Sequence, residues 1–168
     1  YKLTSVSLPL DREEVCDSEF ENCSNLTSVQ LPVGLKTIHV GAFSGCKLLT
    51  SLDLPDSLEN IEDCALSDTG IEYLKFPYGI KSVDEKAFDG SPIRELVFDE
   101  DHSVYEFKGK CLIDKTQSKI IKAFNGASIP DGVAIVQSGA FDHVDVGTEL
   151  HFPDTIRRIE NMAFSNVD

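Results

Sequence analysis

One segment, Leu31 to Cys46 with the sequence LPVGLKTIHVGAFSGC, is written again along most of the chain. A Leu-Pro pair or its equivalent recurs at Leu8-Pro9, Leu31-Pro32, Leu54-Pro55, Phe76-Pro77, Ile129-Pro130 and Phe152-Pro153. The steps are 23, 23, 22, 53 and 23 residues, and Phe98-Asp99 divides the long interval into 22 and 31. Seven repeats therefore account for the chain. A fixed period of this length is the mark of a solenoid, in which each repeat stacks only on its neighbours. The expectation is a single solenoid domain over residues 1–168, with an irregular repeat at 99–128.

Within the repeat, apolar residues stand at the Leu-Pro leucine and two before it: Val6 and Leu8, Val29 and Leu31, Leu52 and Leu54, Leu74 and Phe76, Leu96 and Phe98. That alternation has the period of a half-buried strand, so each repeat is expected to contribute one short strand. The proline ends it, because it cannot donate to a ladder. Gly34, Gly79 and Gly132 then mark a tight turn. Two further apolar columns follow, Leu35, Leu58, Ile80, Val133, Ile156 and Ile38, Ile61, Val83, Val136, Ile159, and predict a second extended piece on the far side of each coil. The last element is Ala42-Phe43, repeated at Ala65-Leu66, Ala87-Phe88, Ala140-Phe141 and Ala163-Phe164. A small residue beside a large aromatic suits a tight helical turn whose ring fills the core, giving a spine of stacked phenylalanines. Three residues on stand Cys23, Cys46, Thr69, Ser91, Val144 and Val167, a column of small side chains.

These columns resemble the BspA-type (treponemal) leucine-rich repeats, a class of bacterial surface proteins also found in some protists. The resemblance covers the whole chain. It implies a β-rich solenoid of about seven 22–23-residue repeats with short strands and helical turns. It also implies that Phe107 to Phe124 is the family's β-hairpin insertion, with strands Lys110 to Asp114 and Lys119 to Ala123 around Lys115-Thr116-Gln117-Ser118. The family's role in adhesion and in binding host or matrix proteins implies a secreted or cell-surface location. Two places depart from the pattern. The first repeat has Arg12 and Glu19 where a leucine and an alanine are expected, and the last strand has Gly147 and Thr148 where an apolar residue is expected, so looser packing is expected at both.

Charge and motif content narrow the function. A net charge of −14, from 29 acidic against 15 basic residues, disfavours nucleic acid and anionic lipid, which require a positive field. Asp99 and Asp101 lack the glycine and distal glutamate of an EF-hand loop, which leaves calcium a weak option there. No apolar run reaches the ~18 residues of a membrane span. The chain opens on Tyr1 inside a repeat and stops at Asp168 just after an Ala-Phe motif, so a longer parent protein is expected. The five cysteines show no C-x-x-C, and the four histidines, His39, His102, His143 and His151, share no column and no zinc spacing. Cys23 and Cys46 share a column in adjacent coils, within reach of a disulfide. That column's tolerance of Ser, Thr and Val favours buried thiols instead. With no G-x-S-x-G elbow and no phosphate loop, neither catalysis nor a cofactor nor a metal site is expected. Asn22-Cys23-Ser24 and Asn25-Leu26-Thr27 are formal glycosylation sequons, relevant only to a eukaryotic secreted protein.

The outward positions of the strand column are mostly small and polar, except at the centre. There Tyr73, Lys75, Glu95 and Val97 place an aromatic, two charges and an apolar side chain on adjacent strands. Aromatics on a rigid face dominate binding hot spots. The candidate binding face is therefore Tyr73, Lys75, Glu95 and Val97, flanked by Asp53 and Gln30. Set against this is an ordinary solvated sheet face. The leading expectation is a non-enzymatic protein-interaction or adhesion module of a secreted or surface protein, with a protein partner from host or extracellular matrix. The alternative is a structural spacer or stalk that displays another domain and has no ligand of its own.

Overall fold

The computed structural model describes residues 2–98 and 102–167. The acidic run Asp99-Glu100-Asp101, and with it the calcium option, lies outside the described residues. The chain divides into two compact units, Tyr1–Asp99 and Glu100–Asp168.

The strands of the first unit are β1 (Ser5–Ser7), β2 (Glu14–Val15), β3 (Ser28–Gln30), β4 (Thr37–Ile38), β5 (Asn60–Ile61), β6 (Tyr73–Lys75), β7 (Ser82–Val83) and β8 (Glu95–Val97). β2, β4, β5 and β7 form a continuous parallel ladder with Val15, Ile38, Ile61 and Val83 in register. All four side chains are buried. This is the second extended piece of each coil, and it is the more continuous of the two. On the Leu-Pro side, β1 pairs with β3 and β6 with β8, both in parallel. Residues 52–54, 127–129 and 150–152 form no strand, which corrects the expectation of one such strand in every repeat. Each of these pieces is only three residues long and ends at a proline, so few ladder bonds are available to hold it.

The Ala-Phe element is not helical: no helix occurs among the described residues. Its amides alternate between two kinds of partner. Gly41, Phe43 and Gly45 donate to Asp63, Ala65 and Ser67 of the next coil, whereas Ala42, Ser44 and Cys46 donate three residues back to His39, Gly41 and Phe43. Backbone left-handedness enforces this pattern. Ser18, Gly41, Cys64, Gly139 and Met162 share one column, and Asn22, Gly45, Asp68, Gly90, His143 and Asn166 a second, and all have φ between 49° and 75°. A residue with positive φ every four positions cannot belong to a right-handed helix. The turn still does the packing expected of it. Ala42, Phe43, Ala65 and Leu66 are wholly buried, and Phe20 stacks on Phe43 with ring centroids 5.3 Å apart. Elsewhere a glycine answers to crowding. A Cβ on Gly79 would strike the carbonyl oxygen of Asp56 in the preceding coil.

The second unit holds β9 (Tyr105–Lys108), β10 (Cys111–Asp114), β11 (Lys119–Ala123), β12 (Ile135–Val136) and β13 (Arg158–Ile159) in one sheet of order β13-β12-β11-β10-β9. β10 and β11 are the two strands of the insertion hairpin, and β9 is a third that the sequence pattern did not separate from its surroundings. β9 and β10 join through Gly109-Lys110, with φ of 58° and 55°. Two consecutive positive-φ residues are what a two-residue hairpin loop with the right twist requires. The β10–β11 loop is tied to buried Asp114. Its Oδ1 accepts from the Thr116 amide, the Thr116 hydroxyl and the Gln117 amide, and its Oδ2 from the Gln117 side chain. β11 then rejoins the repeat pattern, since Ile120 lies in register with Val136 and Val136 with Ile159. Phe152 and Ile159 are 43% and 47% exposed, so the last repeat packs less fully than those before it.

Candidate functional site

β6 and β8 bring four of the six expected binding residues together. Tyr73 lies opposite Glu95 and Lys75 opposite Val97, while Leu74 and Leu96 between them point into the core. All four outward residues are exposed, Tyr73 by 57% and Val97 by 42%. Gln30 ends β3, and its Oε1 accepts a hydrogen bond from the Ser7 hydroxyl at 3.0 Å. Asp53 is exposed on the intervening coil, outside any strand. Further apolar exposure appears where the sequence reading did not look. Leu10, Val33 and Tyr78 all stand two residues after the Leu-Pro leucine or its equivalent and are 81%, 83% and 64% exposed. Their shared column was the available signal.

The five cysteines are all free thiols. Cys46 is wholly buried and donates to the Phe20 carbonyl at 3.1 Å, and burial pushes its pKa up to about 11. Burial likewise raises Cys111 to about 12. Cys16 is exposed beside Arg12.

The histidines do not assemble a catalytic group. His102 is buried and accepts the Val104 and Tyr105 amides at Nδ1, a local structural role, while His143 and His151 are exposed. His39 is different. Its Nδ1 lies 3.0 Å from Glu62 Oε2 and its Nε2 3.4 Å from Glu14 Oε2. Partial burial pulls its pKa down, yet the Glu62 and Glu14 carboxylates outweigh burial and hold it above the ordinary imidazole value. Asp17 from the preceding coil joins this group, so that Asp17, His39 and Glu62 each present a ligand atom within 4.8 Å of the others. These residues lie 22 and 23 positions apart in the sequence, so spacing along the chain does not show the group, and only the stacking of coils brings them together.

Parallel ladders repeated in register at a 22–23-residue step define a leucine-rich-repeat β-solenoid. The chain belongs to the family described as BspA type leucine rich repeat region, whose model matches residues 1–117 and 113–168 in six copies. Several solved structures share the fold. A leucine-rich repeat protein from Eubacterium ventriosum matches with a TM-score of 0.77 at 14% identity, over 96% of this chain and 51% of that one. The pneumococcal vaccine antigen PcpA matches with a TM-score of 0.78 at 19% identity, over 99% and 49%. A leucine rich cell surface protein from Faecalibacterium prausnitzii matches with a TM-score of 0.65 at 22% identity, over 94% and 50%. The chain thus spans about half the length of each. No curated protein sequence matches it significantly. Among the described residues, no helix is long and apolar enough to cross a membrane.

Proposed function

We propose that this chain is a non-enzymatic protein-interaction module of a secreted or cell-surface protein, and that its contact surface is the outward face of β6 and β8. The observation that carries this reading is the pairing of Tyr73 with Glu95 and Lys75 with Val97 on one rigid, exposed sheet face. Tyrosine supplies large contact area at low entropic cost, and the two flanking charges give orientation. Membership of the BspA-type family and the structural similarity to a leucine rich cell surface protein of Faecalibacterium prausnitzii support the location. A basic or neutral protein surface of the host or extracellular matrix complements the net charge of −14.

The test is binding to a panel of purified extracellular-matrix proteins, comparing the native chain with a Tyr73→Ala, Lys75→Ala variant of unchanged thermal stability. Saturable binding that the variant loses supports the module and its face. Binding retained by the variant moves the site elsewhere, and absence of binding across the panel favours a spacer that displays another domain.

A further inference from the structure

We propose that Asp17, His39 and Glu62 form a binding site for a divalent transition-metal ion of the zinc class, with one donor from each of three successive coils. The three ligand atoms already lie within 4.8 Å of one another. In a tetrahedral shell two donors bonded to one ion at about 2.1 Å stand about 3.4 Å apart, so the widest pair has to close by no more than about 1.4 Å, which side-chain rotation supplies. The backbone beneath is fixed. His39 donates its amide to Val15, Glu62 to Ile38 and Ser18 to Val40, all across the coil interface, so the donors cannot drift apart along the stack.

The surroundings fit an ion of this type. Glu62 faces Nδ1 at 3.0 Å and Glu14 faces Nε2 at 3.4 Å, so an ion taken up at Nδ1 together with Glu62 and Asp17 would leave Nε2–H for Glu14. A ligating imidazole whose other N–H is held by a carboxylate is the usual arrangement at such centres. Among the described residues, no lysine or arginine pairs with Glu14, Asp17 or Glu62, so the three carboxylates share one imidazole and leave an excess of negative charge. An imidazole donor selects zinc-class ions over calcium and magnesium, which prefer oxygen alone. Asp17 is exposed, and His39 and Glu62 keep 27% and 39% of their side-chain surface in water, so an ion has an entry path and water can complete its shell.

Calorimetric titration with zinc chloride tests the site, in the native chain and in His39→Gln and Asp17→Asn variants checked for fold by circular dichroism. Asp17 is exposed, so its variant folds whatever happens at His39. The native chain is expected to bind one ion and to melt at a higher temperature with it, and each variant to bind about 10-fold or more weakly. Cobalt substitution is expected to give a visible spectrum without a thiolate charge-transfer band, which separates this site from one built on nearby Cys16. Lack of saturable zinc binding, native affinity in either folded variant, a thiolate band, or tighter binding of calcium than of zinc would each overturn the proposal.

Discussion

Both arms of the Arg12 guanidinium donate to the carboxylate of Glu19, at 2.6 and 2.5 Å. These are the two residues that break the repeat pattern in the first coil, and they break it together. Where other coils place an apolar residue and an alanine, this one places an ion pair, and Glu19 also accepts the Cys16 amide at 3.0 Å. The Arg12 hydrogen bond holds the Glu19 carboxyl below its usual range.

A double-mutant cycle therefore has a definite outcome. Arg12→Leu alone and Glu19→Ala alone each lose up to about 1 kcal/mol, as expected of a partly exposed pair. The Arg12→Leu, Glu19→Ala double variant restores the repeat pattern and recovers most of that loss, giving a coupling of about 0.5 kcal/mol or more by urea unfolding. Additive losses would mean that the two departures are independent.

Phe43 tests the spine. It is wholly buried and stacked on Phe20, and the next coil carries Leu66 at the same position. Phe43→Ala should cost about 3–5 kcal/mol through the cavity it leaves. Phe43→Leu, which the column already accepts, should cost less than about 1.5 kcal/mol. Equal losses in denaturant unfolding would show that the site does not select for volume.

Thiol reactivity should follow burial. With a pKa of about 11, Cys46 is thiolate to about one part in a thousand at pH 8, and its sulfur is wholly covered. Mass-resolved alkylation should modify exposed Cys16 first and reach Cys46 and Cys111 only as the chain unfolds in urea. Labelling of Cys46 at the rate of Cys16 in the folded protein would contradict the packing described.

Glu59 bridges two lysines across three coils, 2.7 Å from Lys81 and 3.4 Å from Lys36. The Lys81 hydrogen bond, foremost, holds its carboxyl below the usual glutamate range. A depressed folded-state pKa means stability that is present above the unfolded value and lost as pH falls through the folded one. Titration by carboxyl carbon NMR should give a midpoint below that of a free glutamate. Lys81→Met should raise it, and so should molar salt, because the pair is exposed and screening then acts within about 3 Å. An unmoved midpoint in Lys81→Met would remove Lys81 as the cause.

Period, core columns and the insertion were legible in the residues themselves, because burying an apolar face every 22–23 residues leaves a periodic record. Ile38, Ile61 and Val83 show that record directly, since they lie in register in one ladder that Val15 extends, and Val136 and Ile159 of the same column pair in register in the second unit. The Ala-Phe turn was legible in its packing but not in its backbone. Gly41, Gly45 and Asn22 carried the sign, yet Cys64 and Met162 take the same left-handed φ, which no local propensity of cysteine or methionine encodes. The third strand of the insertion and the capping of its loop by Asp114 likewise depend on pairing partners. Of the expected binding face, the sequence placed Tyr73, Lys75, Glu95 and Val97 in outward positions through strand alternation. That Tyr73 lies opposite Glu95 and Lys75 opposite Val97 was decided by the parallel register of β6 and β8. The Arg12–Glu19 pair and the meeting of Asp17, His39 and Glu62 belong wholly to the tertiary structure. A solenoid repeats its core because every coil must bury the same face, whereas its surface side chains are free to differ from coil to coil. Which of them come into contact is set by the stacking of coils.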